Sequence, residues 1–358
     1  MSVYLSTFAQ RIVRWQRQHG RQHLPWQHTQ DPYRIWLSEI MLQQTQVTTV
    51  LDYYTRFLTR FPTVQSLAQA QQDEVMPYWA GLGYYARARN LHRCAQVIVK
   101  DYQGVFPPHS KVLATLPGIG PSTAAAIAAF AYGERAPIMD GNVKRVFCRY
   151  FGIEGLTHLR ATEKKLWELA HQVLKLAPTD LDMTAYTQGQ MDLGSQICTR
   201  GTPSCAQCPL QDGCYAKTHQ KQHLLPTPKP RAKQPERRCH LLIWEQNEQI
   251  LVEQRPDKGI WGGLLALPQF ENQEQLQQFL LNHGVSLSTK QKMATLTHVF
   301  SHFKLHITPW WVRQVAVHEP APHQQWLSLT QAPHAAFPAP IKKLIQAICA
   351  TKVKVGDE

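Results

Sequence analysis

Two carboxylates and four cysteines are the residues of this 358-residue chain whose types and spacing could do chemistry. Asp140 stands in Asp140-Gly141-Asn142, a short way beyond an alanine-rich segment that follows Leu116-Pro117-Gly118-Ile119-Gly120. Pro117, Gly118 and Gly120 cannot continue a regular helix and therefore form a tight turn. Backbone N–H groups left bare at the start of the next helix, around Gly118, Gly120 and Ser122, are a ready site for a phosphate. A carboxylate at a fixed distance from such a clamp suits chemistry on a nucleotide; the same spacing also suits Asp140 as a plain helix N-cap. Glu39 lies among Trp36, Leu37, Ile40 and Met41 and shares a helix face with Gln43. Apolar neighbours desolvate a carboxyl, raise its pKa and let it act as an acid at neutral pH. A solvated helix glutamate is the alternative. Cys198, Cys205, Cys208 and Cys214 are separated by six, two and five residues. Four thiolates so close fit zinc or an iron–sulfur cluster. Only one Cys-x2-Cys pair is present and no histidine interrupts the run.

These residues need a helical frame. Leu5, Phe8, Ile12 and Trp15 predict an amphipathic helix over 4–19. Asp31-Pro32 starts a second helix, with Asp as cap and Pro in the first turn, expected to run from Tyr33 through Tyr54. Ser122 to Tyr132 is rich in alanine, the best helix former. Further helices are expected near 63–80, 84–103, 161–176 and 182–197. Between the first two of these lies Gly81-Leu82-Gly83-Tyr84, a glycine-flexed turn from which Leu82 and Tyr84 should project, with Arg87 and Arg89 behind. Residues 224–238 hold four prolines and five basic residues and read as an extended, poorly packed linker. Beyond it the pattern changes: strands at 239–244 and 249–254, a glycine loop, a helix near 272–283 and strands at 293–300 and 303–312 predict an α+β domain.

The net charge of +13 favours a polyanionic partner. Residues 1–225 hold 23 Lys/Arg against 15 Asp/Glu, residues 226–240 hold 5 against 1, and residues 241–358 hold 10 against 9. The first region and the linker should therefore make most phosphate contacts. No apolar run approaches membrane length and the N-terminus lacks a signal-peptide pattern, so a soluble intracellular protein, cytoplasmic or nucleoid-associated, is expected. Such a compartment argues against a disulfide framework for the eight cysteines. Cys94, Cys148, Cys239 and Cys349 read as ordinary thiols.

Together these stretches resemble the helix-hairpin-helix module of a DNA glycosylase superfamily and, over almost the whole chain, the MutY family of adenine DNA glycosylases. The resemblance implies a multidomain protein: an all-α glycosylase region over 1–223 with an iron–sulfur loop at 198–214, a basic proline-rich linker over 224–238, and a Nudix-like 8-oxoguanine recognition domain over 239–350. It implies a [4Fe–4S] cluster on the four cysteines, with a structural role that holds Thr199, Arg200 and Gly201 against the DNA backbone. Its expected substrate is double-stranded DNA with 8-oxoguanine·A or G·A mispairs, bound by a monomer. By resemblance, Glu39 protonates the flipped adenine, Asp140 stabilises the sugar cation electrostatically or by a transient bond, and Asn142 orients Asp140 or water. Gln188 matches a glutamine that contacts adenine, Gln44 and Thr45 reach the opposite 8-oxoguanine, Leu82 and Tyr84 wedge the DNA, and Ser301 and His302 of Phe300-Ser301-His302 read the altered purine. Endonuclease III-type relatives carry a lysine where this chain has Ser122, so glycosylase activity without lyase activity is expected. Lys144 is a nearby amine whose preferred role is phosphate contact. The helix Asn-Gln-Glu-Gln-Leu-Gln-Gln after the glycine loop lacks the glutamate run of a Nudix hydrolase, which implies recognition rather than hydrolysis.

Overall fold

The computed structural model describes the chain over 2–230, 234–286, 290–313 and 318–355. Residues 231–233, inside the expected linker, lie outside the described residues. Two compact units are present: 1–69 with 93–231, and 70–92 with 232–358.

The helices are α1 (Ser2–His19), α2 (Pro32–Met41), α3 (Val47–Arg60), α4 (Val64–Gln69), α5 (Gln72–Trp79), α6 (Ala86–Tyr102), α7 (Ser110–Leu113), α8 (Pro121–Tyr132), α9 (Gly141–Phe151), α10 (Arg160–Leu176), α11 (Met183–Asp192) and α12 (Tyr215–Thr218). In the first unit, Phe8 and Ile12 of α1 meet Val143 and Phe147 of α9, Leu166 and Val173 of α10, and Leu193. Phe8 sits edge-on to Phe147 and Tyr150, with centroids 5.4 and 4.9 Å away. In α8 every residue from Ala124 to Ala129 is buried. Such small side chains let α8 lie close against α2 and α11.

The single helix expected from Tyr33 to Tyr54 is two. Asp31 caps α2 through Tyr33 N–H, and α2 ends at Met41. Gln44 adopts a left-handed φ of 56°, which a regular helix cannot hold, and α3 starts at Val47. Exposed Gln44 and half-buried Thr45 thus stand on a loop, not on a helix face. A second difference concerns the linker. Its first residues are packed: Leu225 is buried, Arg149 Nε donates to Leu225 O at 2.9 Å, and Gly155 N–H donates to Thr227 Oγ1 at 2.8 Å. Its last residues already belong to a strand.

That strand, β1 (Glu236–Gln246), is central to the sheet of the second unit, whose other strands are β2 (Gln249–Gln254), β3 (Leu265–Ala266), β4 (Gln269–Phe270), β5 (Lys290–Lys292), β6 (Leu296–Val299), β7 (Lys304–Arg313) and β8 (Gln324–Ser328). The order is β3-β2-β1-β7-β5, with β4 on β1, β6 on β7 and β8 on β2. The β1–β2 hairpin turns at Asn247 and Glu248, both with positive φ, the geometry of a tight two-residue turn. β1 and β7 run parallel over their whole length, Glu236 opposite Lys304 and Glu245 opposite Arg313. Alternation places Leu242 and Trp244 of β1 and Trp310 and Val312 of β7 in one cluster with Leu276 and Leu280 of helix α13 (Gln273–Asn282). Helix α14 (Ala339–Val355) ends the described chain. Among the described residues no helix is long and apolar enough to cross a membrane.

Candidate active site

The hairpin α7–turn–α8 places Gly118 at a left-handed φ of 77°, as a glycine turn requires. Gly120 caps α8, and a Cβ built there would meet nothing within 4 Å, so the backbone at this helix start faces open space. Ser122 turns inward: its Oγ accepts from Met139 N–H at 2.9 Å. The hydroxyl thus ties α8 to the residue before Asp140.

Asp140 is the N-cap of α9, its Oδ1 accepting from Val143 N–H at 2.7 Å. The cap and the candidate catalytic group are the same carboxylate. Burial pushes this carboxyl above its ordinary value, against the amides of Val143 and Asn142 and the cations Arg145 and Lys144, which pull it down. Asn142 Oδ1 accepts from Arg145 Nη2 at 2.9 Å. A Cβ on Gly194 would come within 2.5 Å of Asn142 Cβ, so only glycine lets the chain pass there. Lys144 Nζ is paired with Glu163 at 2.7 Å.

Glu39 lies on α2 and lines a cavity of about 310 Å³ with Gln16, Trp26, Gln27, His28, Phe130, Thr184 and Gln188. That volume suits a small ligand. Burial, and then the nearby charge of Asp140, raises the Glu39 carboxyl from 4.5 to about 8. Although Glu39 opens onto the cavity, its carboxyl is desolvated by the surrounding protein. The charge of Asp140 thus helps keep the Glu39 proton in place. Gln188, on α11, is buried at one side of this cavity, and its Nε2 donates to Asp192 Oδ1 at 2.8 Å. Asp192 is fully buried and receives Arg21 Nε at 2.7 Å and Arg21 N–H at 2.9 Å. Sequence reasoning missed Trp26, Phe130, Arg21 and Asp192. The (i, i+4) spacing of Gln188 and Asp192 was the one available signal.

Other expected residues belong to the second unit. Tyr84 is exposed, with a φ of 50°, and Arg87 lies over its ring at 5.6 Å. Leu82 does not project: it is 7 % exposed, because the turn folds its apolar side chain inward while Arg87 Nη2 binds Leu82 O and Gly83 O. Ser301 and His302 lie in the second unit, at the tip of the β6–β7 hairpin. Phe300 N–H binds Phe303 O at 2.9 Å and the two rings stack at 4.6 Å, which leaves exposed Ser301 and His302 at the tip, Ser301 Oγ 3.3 Å from His302 Nδ1.

Cys198, Cys205, Cys208 and Cys214 line one pocket with Arg149, Lys217 and Gln222. Arg149, buried and unforeseen from the sequence, donates to Cys198 Sγ at 3.4 Å and to Thr199 O at 2.7 Å. Gln222 Nε2 lies 3.9 Å from Cys205 Sγ. Soft sulfur donors facing N–H groups fit a metal–sulfur group. Among the described residues no three His, Cys, Asp or Glu side chains converge on one ion position. Cys94, Cys148 and Cys239 are buried, and burial pushes their thiols up, Cys94 to about 12.

Comparison with known proteins places this geometry. Residues 37–172 match the model of the HhH-GPD superfamily base excision DNA repair protein, and 239–347 match the NUDIX domain. An adenine DNA glycosylase of Buchnera aphidicola (subspecies Acyrthosiphon pisum) is 35 % identical over 97 % of this chain and 98 % of its own. The chain belongs to the adenine DNA glycosylase family. The human adenine DNA glycosylase is 31 % identical over 96 % of this chain and 74 % of its own. Among solved structures, a thermostable thymine-DNA glycosylase aligns with a TM-score of 0.54 at 30 % identity, covering 61 % of this chain and 98 % of its own. In this adenine DNA glycosylase family member, then, the helical hairpin, Glu39 and Asp140 lie inside the base-excision-repair match, and the Ser301–His302 hairpin lies inside the NUDIX match.

Proposed function

We propose that this DNA N-glycosylase flips adenine from a duplex, out of a mispair with 8-oxoguanine or guanine, and excises it to begin base excision repair. The observation that carries the reading is a carboxyl held protonated at the wall of a base-sized cavity, with a second carboxyl close enough to act on its charge. Glu39 gives its proton to the adenine ring at N7, which turns the base into a neutral leaving group. Asp140, at the N-terminus of α9, stabilises the positive charge that develops on the sugar. Asn142 and Arg145 fix the start of that helix, and water completes the reaction. The hairpin at Gly118, Gly120 and Ser122 receives a phosphate; Gln44, Thr45 and Tyr84 meet the duplex near the mispair. Ser301 and His302 read the opposing 8-oxoguanine. With Ser122 bonded to Met139, no amine stands at that position, so the enzyme releases base without cutting the strand. The catalytic region spans 1–223 and the recognition domain 239–350, joined by 224–238, and the protein acts as a monomer.

The four cysteines hold a [4Fe–4S] cluster, which supplies a rigid anchor for the loop 198–214. Iron and sulfide analysis of purified protein is expected to give about four of each per chain. Cys208→Ser is expected to lower that content and the melting temperature together; a cysteine variant with full iron and unchanged melting would end this assignment.

The central test is single-turnover cleavage of labelled 8-oxoguanine·A duplex, with and without alkali, beside an 8-oxoguanine·C control. Breakage at the adenine strand only after alkali is the expected result. Breakage without alkali would mark a lyase, and none at all would remove the enzyme reading. Ser301→Ala with His302→Ala should cut the preference for 8-oxoguanine·A over G·A by about 10-fold, the worth of one or two hydrogen bonds; an unchanged preference would move recognition elsewhere.

A further inference from the structure

Gln188 carries an amide whose two ends differ in what they offer: Nε2 only donates and Oε1 only accepts. Which end meets the base decides which base fits. In this structure the choice is made from behind. Asp192 lies four residues on, on the same face of α11, fully buried, with carboxylate oxygens that accept. Arg21 reaches Asp192 Oδ1 through Nε at 2.7 Å and Nη2 at 2.6 Å, and its backbone N–H reaches Oδ2 at 2.9 Å. The chain can approach so closely because Gly20 precedes Arg21; a Cβ there would stand 2.6 Å from Gln16 O and 3.1 Å from Asp192 Oδ2. An acceptor so fully engaged by donors leaves Gln188 one orientation, Nε2 toward Asp192 at 2.8 Å. The amide oxygen is then the end available to the cavity.

We propose that Asp192, braced by Arg21, fixes the Gln188 amide with its oxygen toward the cavity and thereby makes the site select a six-amino purine over a six-oxo purine. This rests on the glycosylase reading above. The exocyclic amino group of adenine donates to an acceptor oxygen; the carbonyl of hypoxanthine at the same position presents a second acceptor, and both stay unpaired in a desolvated site. Asp192 and Arg21 touch no substrate atom and act as positioning residues.

Single-turnover release of adenine and of hypoxanthine, each opposite the same base, tests this in the parent, Asp192→Asn, Gln188→Met and the double variant. The parent should favour adenine by about 100-fold or more. Asp192→Asn should narrow that ratio at least about 10-fold, because an asparagine amide can donate as well as accept and lets Gln188 turn round. Gln188→Met should narrow it as much, with no further change on adding Asp192→Asn. A purely structural role would lower both rates together. An unchanged ratio in Asp192→Asn that folds by circular dichroism would overturn the proposal. Where that variant does not fold, Gln188→Met decides: a narrowed ratio supports the proposal and an unchanged one ends it. A parent that releases adenine confines either failure to this inference, whereas a parent that releases neither base sinks the glycosylase reading as well.

Discussion

Asp140→Asn is expected to reduce single-turnover adenine release by about 10³-fold or more, the scale seen when a group that stabilises transition-state charge is lost. Duplex binding should stay close to that of the parent. The reason for pairing these outcomes lies in the cap. Asp140 Oδ1 accepts from Val143 N–H at 2.7 Å, and an asparagine oxygen can accept the same bond. The start of α9 should survive and the glycine hairpin before α8 is untouched, while the negative charge disappears. A variant that keeps near-normal release would remove Asp140 from the chemistry and leave it a cap alone.

Glu39→Gln should lower release by about 10²- to 10⁴-fold, as for loss of a general acid. Its signature lies in pH. With Glu39 proposed as the acid, release by the parent should fall as pH rises through about 8. On the acid side, release should fall as Asp140 takes up its proton, at a pH above the ordinary carboxylate range because burial raises that group. The residual activity of Glu39→Gln should lack the alkaline limb; if it keeps that limb, another group is the acid. The same substitution should stabilise the fold. A carboxyl raised from 4.5 to about 8 binds more protons folded than unfolded between those values. Its contribution to stability is therefore complete below about 4.5 and lost as pH climbs to about 8. Glutamine does not titrate, so the gain over the parent should grow across that window, reaching on the order of 2–4 kcal/mol by pH 8. A variant no more stable than the parent at that pH would mean that Glu39 is not held in a desolvating site.

Much of this site was legible in the chain. The glycine turn, the alanine helix and Asp140 as a cap follow from local backbone chemistry, and they stand where local reasoning put them. Glu39 was legible because its neighbours are apolar, though its pKa depends on Asp140, about a hundred residues away in the chain. Features decided by tertiary contact were not legible. Nothing near Gln44 marks a helix break, since the residue is no glycine or proline. Leu82 reads as a projecting side chain in a flexible turn, yet it is buried there. Leu225 and Thr227 look like linker and are held by Arg149 and Gly155, whose positions no local pattern reveals. Strands β3 and β4 have two residues each, too short for any alternation to show.

The stretch from Gln188 to Cys198 has a further consequence. Gln188 and Asp192 lie on α11, and the chain continues through one wide turn, Leu193–Ile197, directly into Cys198. No loop intervenes to absorb a change of length. In a helix each residue adds about 100° of rotation and 1.5 Å of advance. A single deletion or insertion here would turn either the amide out of its cavity or the first cysteine away from its partners. Ser195 and Gln196 are exposed, Ser195 Oγ donating to Asp192 O at 3.2 Å, and substitutions there should cost little. Across this segment the number of residues should be far less negotiable than the identity of those on its outer face.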